Sequence, residues 1–144
     1  MDFQLVTLAG KLVDTSVYEV IIPTVDGEIS VFPSHEPLVT LAANGVIQVR
    51  HDKDDADEYL ELFAISGGVV EINQERVRIL VDEADVGADI IEAETQAALD
   101  RALKMRDEAE DQVELEKAKQ LIDRHVVRLK VADLQRHKRR RTNR

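Results

Sequence analysis

Every glycine and proline of this chain lies within its first 87 residues. The six glycines end at Gly87, the three prolines precede it, and the 57 residues that follow contain neither. Glycine and proline mark turns and break helices, whereas the second part, rich in Ala, Leu, Glu, Lys and Arg, is typical of uninterrupted helix. We therefore predict a β module over residues 1–86 and a helical part over residues 87–144.

Short apolar runs that alternate with polar residues recur through the first part. They are separated by turn residues, among them Asp26-Gly27, Asn44-Gly45 and Gly67-Gly68, and we expect the last two pairs to form hairpin turns. Strands at this spacing predict an antiparallel sandwich or barrel of seven to ten strands. In the last strand, Val77, Ile79 and Val81 share one face. The predicted strands are residues 3–8, 16–22, 28–32, 38–41, 47–50, 59–65, 69–72 and 76–81.

The second part contains two apolar seams with helical spacing. A six-residue gap between Ala109 and Leu115 breaks their phase, which predicts two helices, roughly 91–108 and 113–138; one long helix with a stutter also fits. Both seams are rich in alanine, so pairing of the helices buries little area and we expect a loosely attached hairpin. The seams are Ala98, Ala102, Met105 and Ala109, then Leu115, Ala118, Ile122, His125, Leu129 and Ala132.

Charge is distributed unevenly along the chain. Residues 1–86 carry 5 basic and 17 acidic side chains, residues 87–144 carry 14 basic and 12 acidic ones, and from Arg124 onward Asp133 is the single acid. A basic end on an acidic protein suggests an acidic protein partner. A solvated helix end fits the run at residues 137–141 equally well, because positive charge is favourable at a helix C-terminus. Without an aromatic platform beside the run, we expect no nucleic acid.

The sequence contains no motif with the residue spacing of an active site or a metal site. There is no cysteine, the four histidines are scattered, and no serine lies in a nucleophile elbow. The acidic cluster at residues 52–58 lacks the glycine and glutamate spacing of a calcium loop, and no helix follows Gly67-Gly68 to bind a phosphate. We expect no catalytic residue, metal or membrane-spanning segment, and a soluble or peripheral protein.

Four segments in register resemble the epsilon subunit of the rotary F-type ATP synthase. Residues 27–38 are similar to its Gly-Glu-x-x-hydrophobic-x-Pro-Gly-His-x-Pro-Leu segment, and Gly45-Val46, residues 66–72 and residues 77–84 follow in the same order. The resemblance implies a ten-stranded β-sandwich with a C-terminal two-helix hairpin. It also implies a non-catalytic place in the central stalk, bound to the gamma subunit and the c-ring, at the cytoplasmic face of a bacterial plasma membrane without insertion into it.

The resemblance also implies which residues contact partners. The residues expected to contact the gamma subunit or the c-ring are Glu28, Ser34, His35, Glu36 and Glu71. Pro33 and Pro37 stiffen the bend around His35, although a histidine that only holds the bend, and a plain turn carboxylate at Glu28, fit as well. The resemblance implies that the second helix inhibits ATP hydrolysis by binding acidic segments of the alpha and beta subunits. Four arginines of that helix would make this contact, although they fit a solvated helix face equally well: Arg124, Arg128, Arg136 and Arg139.

The chain departs from the family at two places. Ser34 replaces the glycine of the Pro-Gly-His motif. Some bacterial members bind ATP through an Ile/Leu-Asp-x-x-Arg-Ala motif, where this chain has Ile91 at the Asp position and Glu94 at the Arg position. Since a glutamate repels phosphate, we expect no bound cofactor.

Two other functions remain open from the sequence. A stand-alone adaptor would bind one partner with the sandwich and another with the basic helix, and would not co-purify with gamma and c subunits. A small nucleotide sensor would bind ATP measurably in calorimetry.

Overall fold

The structure is a computed structural model that describes residues 1–142. Ten strands precede two helices, as the family resemblance implies. The helices are α1, Glu92–Asp107, and α2, Gln112–Thr142, and short 3-10 turns lie at Asp57–Tyr59 and Gly87–Asp89. The strands are β1 (Asp2–Thr7), β2 (Gly10–Ser16), β3 (Glu19–Thr24), β4 (Gly27–Val31), β5 (Leu38–Ala42), β6 (Gly45–Arg50), β7 (Glu61–Ser66), β8 (Gly68–Ile72), β9 (Arg76–Leu80) and β10 (Glu83–Val86).

The strands form two layers that we call the covered sheet and the open sheet. The covered sheet has the order β10-β7-β6-β3-β4, and the open sheet the order β5-β8-β9-β1-β2. The layers join where Thr24 of β3 pairs with Ala42 of β5. The core lies between them and includes Phe3, Phe63 and Ile79, all almost fully buried. Val77, Ile79 and Val81, which were predicted to share one face, are all buried in this core.

The topology refines one expectation from the sequence and corrects two. The sandwich is antiparallel apart from one pair, because β1 and β9 pair in parallel. Asn44-Gly45 does not close a hairpin: β5 pairs with β8, whereas β6 pairs with β3 and β7. Gly67-Gly68 does not close one either, since β7 lies in the covered sheet and β8 in the open sheet. Both glycine pairs connect the two layers, which a local turn signal cannot distinguish from a hairpin.

Gly68 shows why glycine is needed at such a crossover. Its φ is +140°, and a Cβ there would lie 2.1 Å from the carbonyl oxygen of Leu80. The backbones of β8 and β9 approach too closely for any side chain at this position. The sequence analysis also missed β2 and β10, whose residues are largely exposed or half-buried and therefore lack a clear apolar alternation.

The helical part is a hairpin and not one long helix. Asp111 begins α2 as a cap, because its Oδ1 accepts a hydrogen bond from the backbone N–H of Glu114 at 2.8 Å. The Glu114 carboxylate in turn accepts one from the N–H of Glu110 at 2.9 Å. This Asp-x-x-Glu arrangement resembles a capping box and ends one helix and starts the next without glycine or proline.

The second helix packs on two surfaces at once. One side forms the seam with α1, in which Thr95, Ala102 and Ala118 are buried, whereas the predicted seam residue Met105 is 45% exposed. The opposite side packs on the outer face of the covered sheet, which the sequence analysis did not predict. There a second apolar cluster forms from Val46, Leu60, Leu62, Ala64, Val127 and Val131. In the part of the chain that the structure describes, no helix is apolar and long enough to cross a membrane.

Candidate functional site

The bend between β4 and β5 carries three of the predicted rotor-contact residues. Ser34 has a positive φ of 69°, and its N–H donates to the carbonyl of Gln74 at 3.1 Å. Nδ1 of His35 lies 2.6 Å from the carbonyl oxygen of Glu36 and therefore carries a proton. The hydrogen bond to Gln74 attaches the bend to the turn between β8 and β9, so Ser34, His35 and Glu36 lie at one end of the open sheet.

Glu71 lies near this bend, and Glu28 does not. Glu71 is exposed on β8, where it pairs with Val39 of β5, one residue from the start of that strand. Glu28 pairs with Pro23 in the covered sheet. About 10 Å of strand separates Glu28 from Val31, after which the bend begins. The structure thus brings four of the five predicted residues together and places the fifth at the other end of β4.

The sequence analysis missed an apolar stripe on the outer face of the open sheet, in which Leu41 is exposed and Val6, Val69 and Leu80 are half-buried. Leu41, Val69, Leu80 and Val6 are neighbours across four strands, from β5 through β8 and β9 to β1. Leu41 is 55% exposed, and Val39, on the same face of β5, is 73% exposed. The sequence of β5 could have indicated this stripe, because the strand is apolar at almost every position. Both of its faces are therefore expected to be buried against other groups.

The first two predicted arginines of α2 point at the sandwich. Arg124 pairs with Glu83 at 3.0 Å and with Asp85 at 3.4 Å, and Arg128 pairs with Asp85 at 3.4 Å. All three ion pairs join α2 to β10. Nε of both arginines is buried without a hydrogen-bond partner, so neither guanidinium has its donors fully satisfied in this position.

The other two predicted arginines lie in different surroundings. Nη1 of Arg136 donates to both carboxylate oxygens of Glu92 at 3.0 Å, which ties α2 to the start of α1, and Arg136 also pairs with Asp133. Arg139 is exposed. The four arginines therefore do not form one continuous patch in this arrangement.

His125 lies between the arginines of α2 and is 8% exposed. Nη1 of Arg128 is 3.3 Å from its Nδ1. Burial lowers the pKa of His125, and the positive charges of Arg128 and Arg124 lower it further. The sequence analysis placed His125 in the helical seam but gave it no functional role.

The stretch that replaces the family's ATP motif opens α1. Ile91 is exposed immediately before the helix, and Glu94 lies in its first turn together with Glu92. Two carboxylates occupy the helix end where a phosphate would otherwise be favoured by the helix dipole. The absence of ATP at these positions stays a prediction, which rests on these two carboxylates.

The acidic cluster at residues 52–58 forms a loop around Arg50. The guanidinium donates to Glu19 at 2.8 Å and to Asp57 at 2.7 Å, and these hydrogen bonds raise the pKa of Arg50. Within residues 1–142, no group of three or more histidine, aspartate or glutamate side chains is arranged to bind a metal ion. Of the loop carboxylates, Asp57 therefore has a structural partner in Arg50.

Comparison with known proteins identifies the family. Residues 1–87 match the beta-sandwich domain of the ATP synthase delta/epsilon chain. The ATP synthase epsilon chain of Rippkaea orientalis is 35% identical over 122 residues, which cover 83% of this chain and 86% of that one.

Two solved structures share the fold. A chain in the mitochondrial ATP synthase of Euglena gracilis, solved with OSCP, F1 and c-ring, aligns with a TM-score of 0.71 at 21% identity, covering 86% of this chain and 76% of that one. A chain in the central stalk and c-ring of the Tetrahymena thermophila mitochondrial ATP synthase aligns with a TM-score of 0.56 at 13% identity, covering 90% and 94%. On the sequence matches and the fold together, the chain belongs to the ATP synthase epsilon chain family.

Proposed function

We propose that this chain is a central-stalk rotor subunit of a proton-translocating ATP synthase, which couples rotation of the c-ring to ATP synthesis. Its family supports a non-catalytic role in that enzyme. The structural neighbours come from assemblies that contain a c-ring. The proposal places the chain at the cytoplasmic face of a bacterial plasma membrane, as part of the catalytic sector.

The open sheet is the surface that we assign to the rotor. Val39 and Leu41 expose apolar side chains beside the charged Glu71 and the bend at His35. An apolar centre with a polar rim is the usual composition of a stable protein interface. Residues 1–86 would thus bind the gamma subunit through the stripe, with Ser34, Glu36 and Glu71 at the rim toward gamma or the c-ring. Glu28 would contact the c-ring separately.

The helical part, residues 87–144, would inhibit ATP hydrolysis by leaving the sandwich for the catalytic head. The observation that carries this proposal is the pairing of Arg124 and Arg128 with carboxylates of β10. The same guanidinium groups can exchange these carboxylates for acidic segments of the alpha and beta subunits. Arg136 and Arg139 extend the basic surface toward the end of α2.

The strength of docking is compatible with such an exchange. Val127 and Val131 are the apolar side chains that α2 adds to the cluster on the covered sheet, and burying each contributes about 1.5–3 kcal/mol. The ion pairs are partly exposed and contribute about 0–1 kcal/mol each. A partner that binds the released state more tightly than the docked state by about 5.5 kcal/mol converts a two-state element almost completely from one state to the other. The contacts that hold α2 on the covered sheet sum to a free energy of the same order.

Truncation tests the inhibitory role. A chain that ends after Gly87, assembled with the catalytic head and gamma, should raise ATP hydrolysis severalfold above that of the full chain. Binding to gamma should remain, because the open sheet is intact. Unchanged hydrolysis would remove the inhibitory role and leave the rotor assignment standing.

A reversible lock tests the same role in the full chain. Asp82 of the sandwich and Lys117 of α2 line the same groove, and the chain has no cysteine of its own. Cysteines at these two positions, joined by a reducible crosslinker, should hold the hairpin down and free hydrolysis. A reductant should then restore inhibition in the same sample, and equal rates before and after reduction would reject the proposal.

A further inference from the structure

Arg78 occupies the centre of the outer face of the open sheet. The order of that sheet is β5-β8-β9-β1-β2, so β9 is its middle strand, and Arg78 is the middle residue of β9. Val77 and Ile79 on either side of it are buried in the core. Since side chains alternate along a strand, Arg78 points away from the core. The fold thus places a positive charge at the middle of the sheet's outer face.

The apolar stripe runs beside this position. Leu80, two residues further along β9, belongs to the stripe and shares the outer face with Arg78. In the row that contains Arg78, its neighbours in register are Glu71 of β8 and Gln4 of β1. A partner that covers the stripe would therefore cover Arg78 as well.

The guanidinium of Arg78 is not used by the fold of the chain itself. The residue is half-buried, and its Nε is buried without a hydrogen-bond partner. No carboxylate among residues 1–142 forms a salt bridge with it. Arg124 and Arg128 also have a buried Nε without a partner, but each of them pairs with carboxylates of β10. Arg78 is thus an arginine with donors left over at the centre of a sheet face.

We propose that Arg78 is the anchor of the open sheet, which selects its partner by binding a carboxylate of the gamma subunit in a bidentate ion pair. This inference rests on the proposed function, in which the open sheet binds gamma. A guanidinium presents its donors in a planar fork that matches the two oxygens of a carboxylate. Arginine is also among the residues that contribute most to binding near the centre of an interface.

The charges on this face explain why the partner group is a carboxylate. A guanidinium that is covered by an apolar interface needs a negative charge beside it, because an unpaired buried charge is costly. Asp14, which pairs with Gln4 in the same row, already forms a salt bridge with Lys11 at 3.2 Å. Glu71 lies directly opposite Arg78 and forms no salt bridge with it. The negative charge is therefore assigned to gamma.

A binding titration with purified gamma tests the anchor. Arg78→Gln should weaken binding by at least about thirtyfold, the usual effect of removing one member of a buried charge pair. Arg78→Lys keeps the charge but lacks the fork, and should lose most of the affinity as well. Arg76→Gln is the matched control, because it removes the same charge from the same face of β9 at an exposed position. It should weaken binding by at most about fivefold.

A double-mutant cycle identifies the carboxylate. Each aspartate and glutamate of gamma is replaced in turn by its amide. One replacement should weaken binding of the unsubstituted chain by at least about tenfold and cause no further loss with Arg78→Gln. If no carboxylate of gamma is coupled to Arg78, or if Arg78 is coupled to Glu71 of its own chain in the same cycle with Glu71→Gln, the proposal is wrong.

The outcomes separate the anchor from the assignment of the open sheet. Equal binding by Arg78→Gln and the unsubstituted chain, with weakened binding by Leu41→Glu, would overturn the anchor and leave the rotor surface in place. Equal binding by both variants would overturn both. Urea titration of the isolated chain controls for folding: the midpoint of Arg78→Gln should not fall, because its side chain has no partner there. A fall that accounts for the lost affinity would assign Arg78 a structural role and overturn the proposal.

Discussion

Ser34 is the residue at which local conformation and sequence disagree most clearly. Its φ of 69° lies in the left-handed region, where a residue with a Cβ is strained and glycine is not. It stands between Pro33 and His35 in the bend assigned to the rotor surface. The hydrogen bond from its N–H to Gln74 holds it there. The strain thus lies within a surface proposed to bind partners, where such conformations tend to cluster.

Replacing this residue tests the strain. We expect Ser34→Gly to raise the free energy of unfolding by about 0.5–1 kcal/mol, because relief of the left-handed strain exceeds the added entropy of the unfolded chain. Urea titration measures the change. Ser34→Ala is the matched control, since alanine is strained in the same way; an equal gain with alanine would show that the backbone conformation is not the cause.

At the scale of elements, the main contact of the helical hairpin with the sandwich is the packing of α2 on the covered sheet. Gly87 lies directly beneath it and is buried. A Cβ at Gly87 would lie 2.6 Å from the carbonyl oxygen of Leu62 and 2.9 Å from Cγ1 of Val131. The last glycine of the chain therefore has a packing role, in addition to marking where the helical part begins.

A methyl group at this position should loosen the hairpin. We expect Gly87→Ala to weaken docking of α2 by about 1–3 kcal/mol, the usual cost of overpacking. Hydrogen exchange of peptides from α2 would rise accordingly. Gly10→Ala is the control: Gly10 has open space around it and a positive φ, so its substitution should destabilise the sandwich without a selective effect on α2. Unchanged exchange of α2 in Gly87→Ala would contradict this packing role.

At the scale of the whole molecule, the two faces of the sandwich differ in what covers them. The outer face of the covered sheet is buried by α2. Because both faces of β7 are therefore buried, this strand is a continuous apolar run, with Leu62 and Ala64 on its outer side. The open sheet has no such cover among the described residues, although Val39 and Leu41 are apolar. We therefore expect a partner on the open sheet.

A charge on the stripe should prevent that partner from binding. Leu41→Glu places a carboxylate in the proposed interface, where burial without a partner is costly, and should weaken capture of gamma by at least about tenfold. A binding titration with purified gamma measures it. Val126→Glu is the control, because Val126 is 51% exposed on α2; equal binding by Leu41→Glu and the unsubstituted chain would place the rotor contact elsewhere.

The sequence by itself determined what depends on near neighbours along the chain. Alternation in residues 76–81 identified a strand and its buried face, and the lack of glycine and proline after Gly87 predicted helices. The break between them was detected as a phase shift, but the choice between one helix and two depended on the cap at Asp111 and Glu114. The division into domains at residues 86 and 87 stays a prediction.

Only the tertiary structure decided which elements meet. The parallel pairing of β1 with β9 and the packing of α2 on the covered sheet join distant segments. The passage of the chain between layers at Gly67-Gly68 depends in turn on the distant strands with which β7 and β8 pair. The same holds for the candidate site: Arg124 appeared in the sequence as a basic residue on a helix, and its partners Glu83 and Asp85 lie about forty residues away. Such contacts follow from burial of shared apolar surface and pairing of charge across the fold, and neither leaves a pattern in the local sequence.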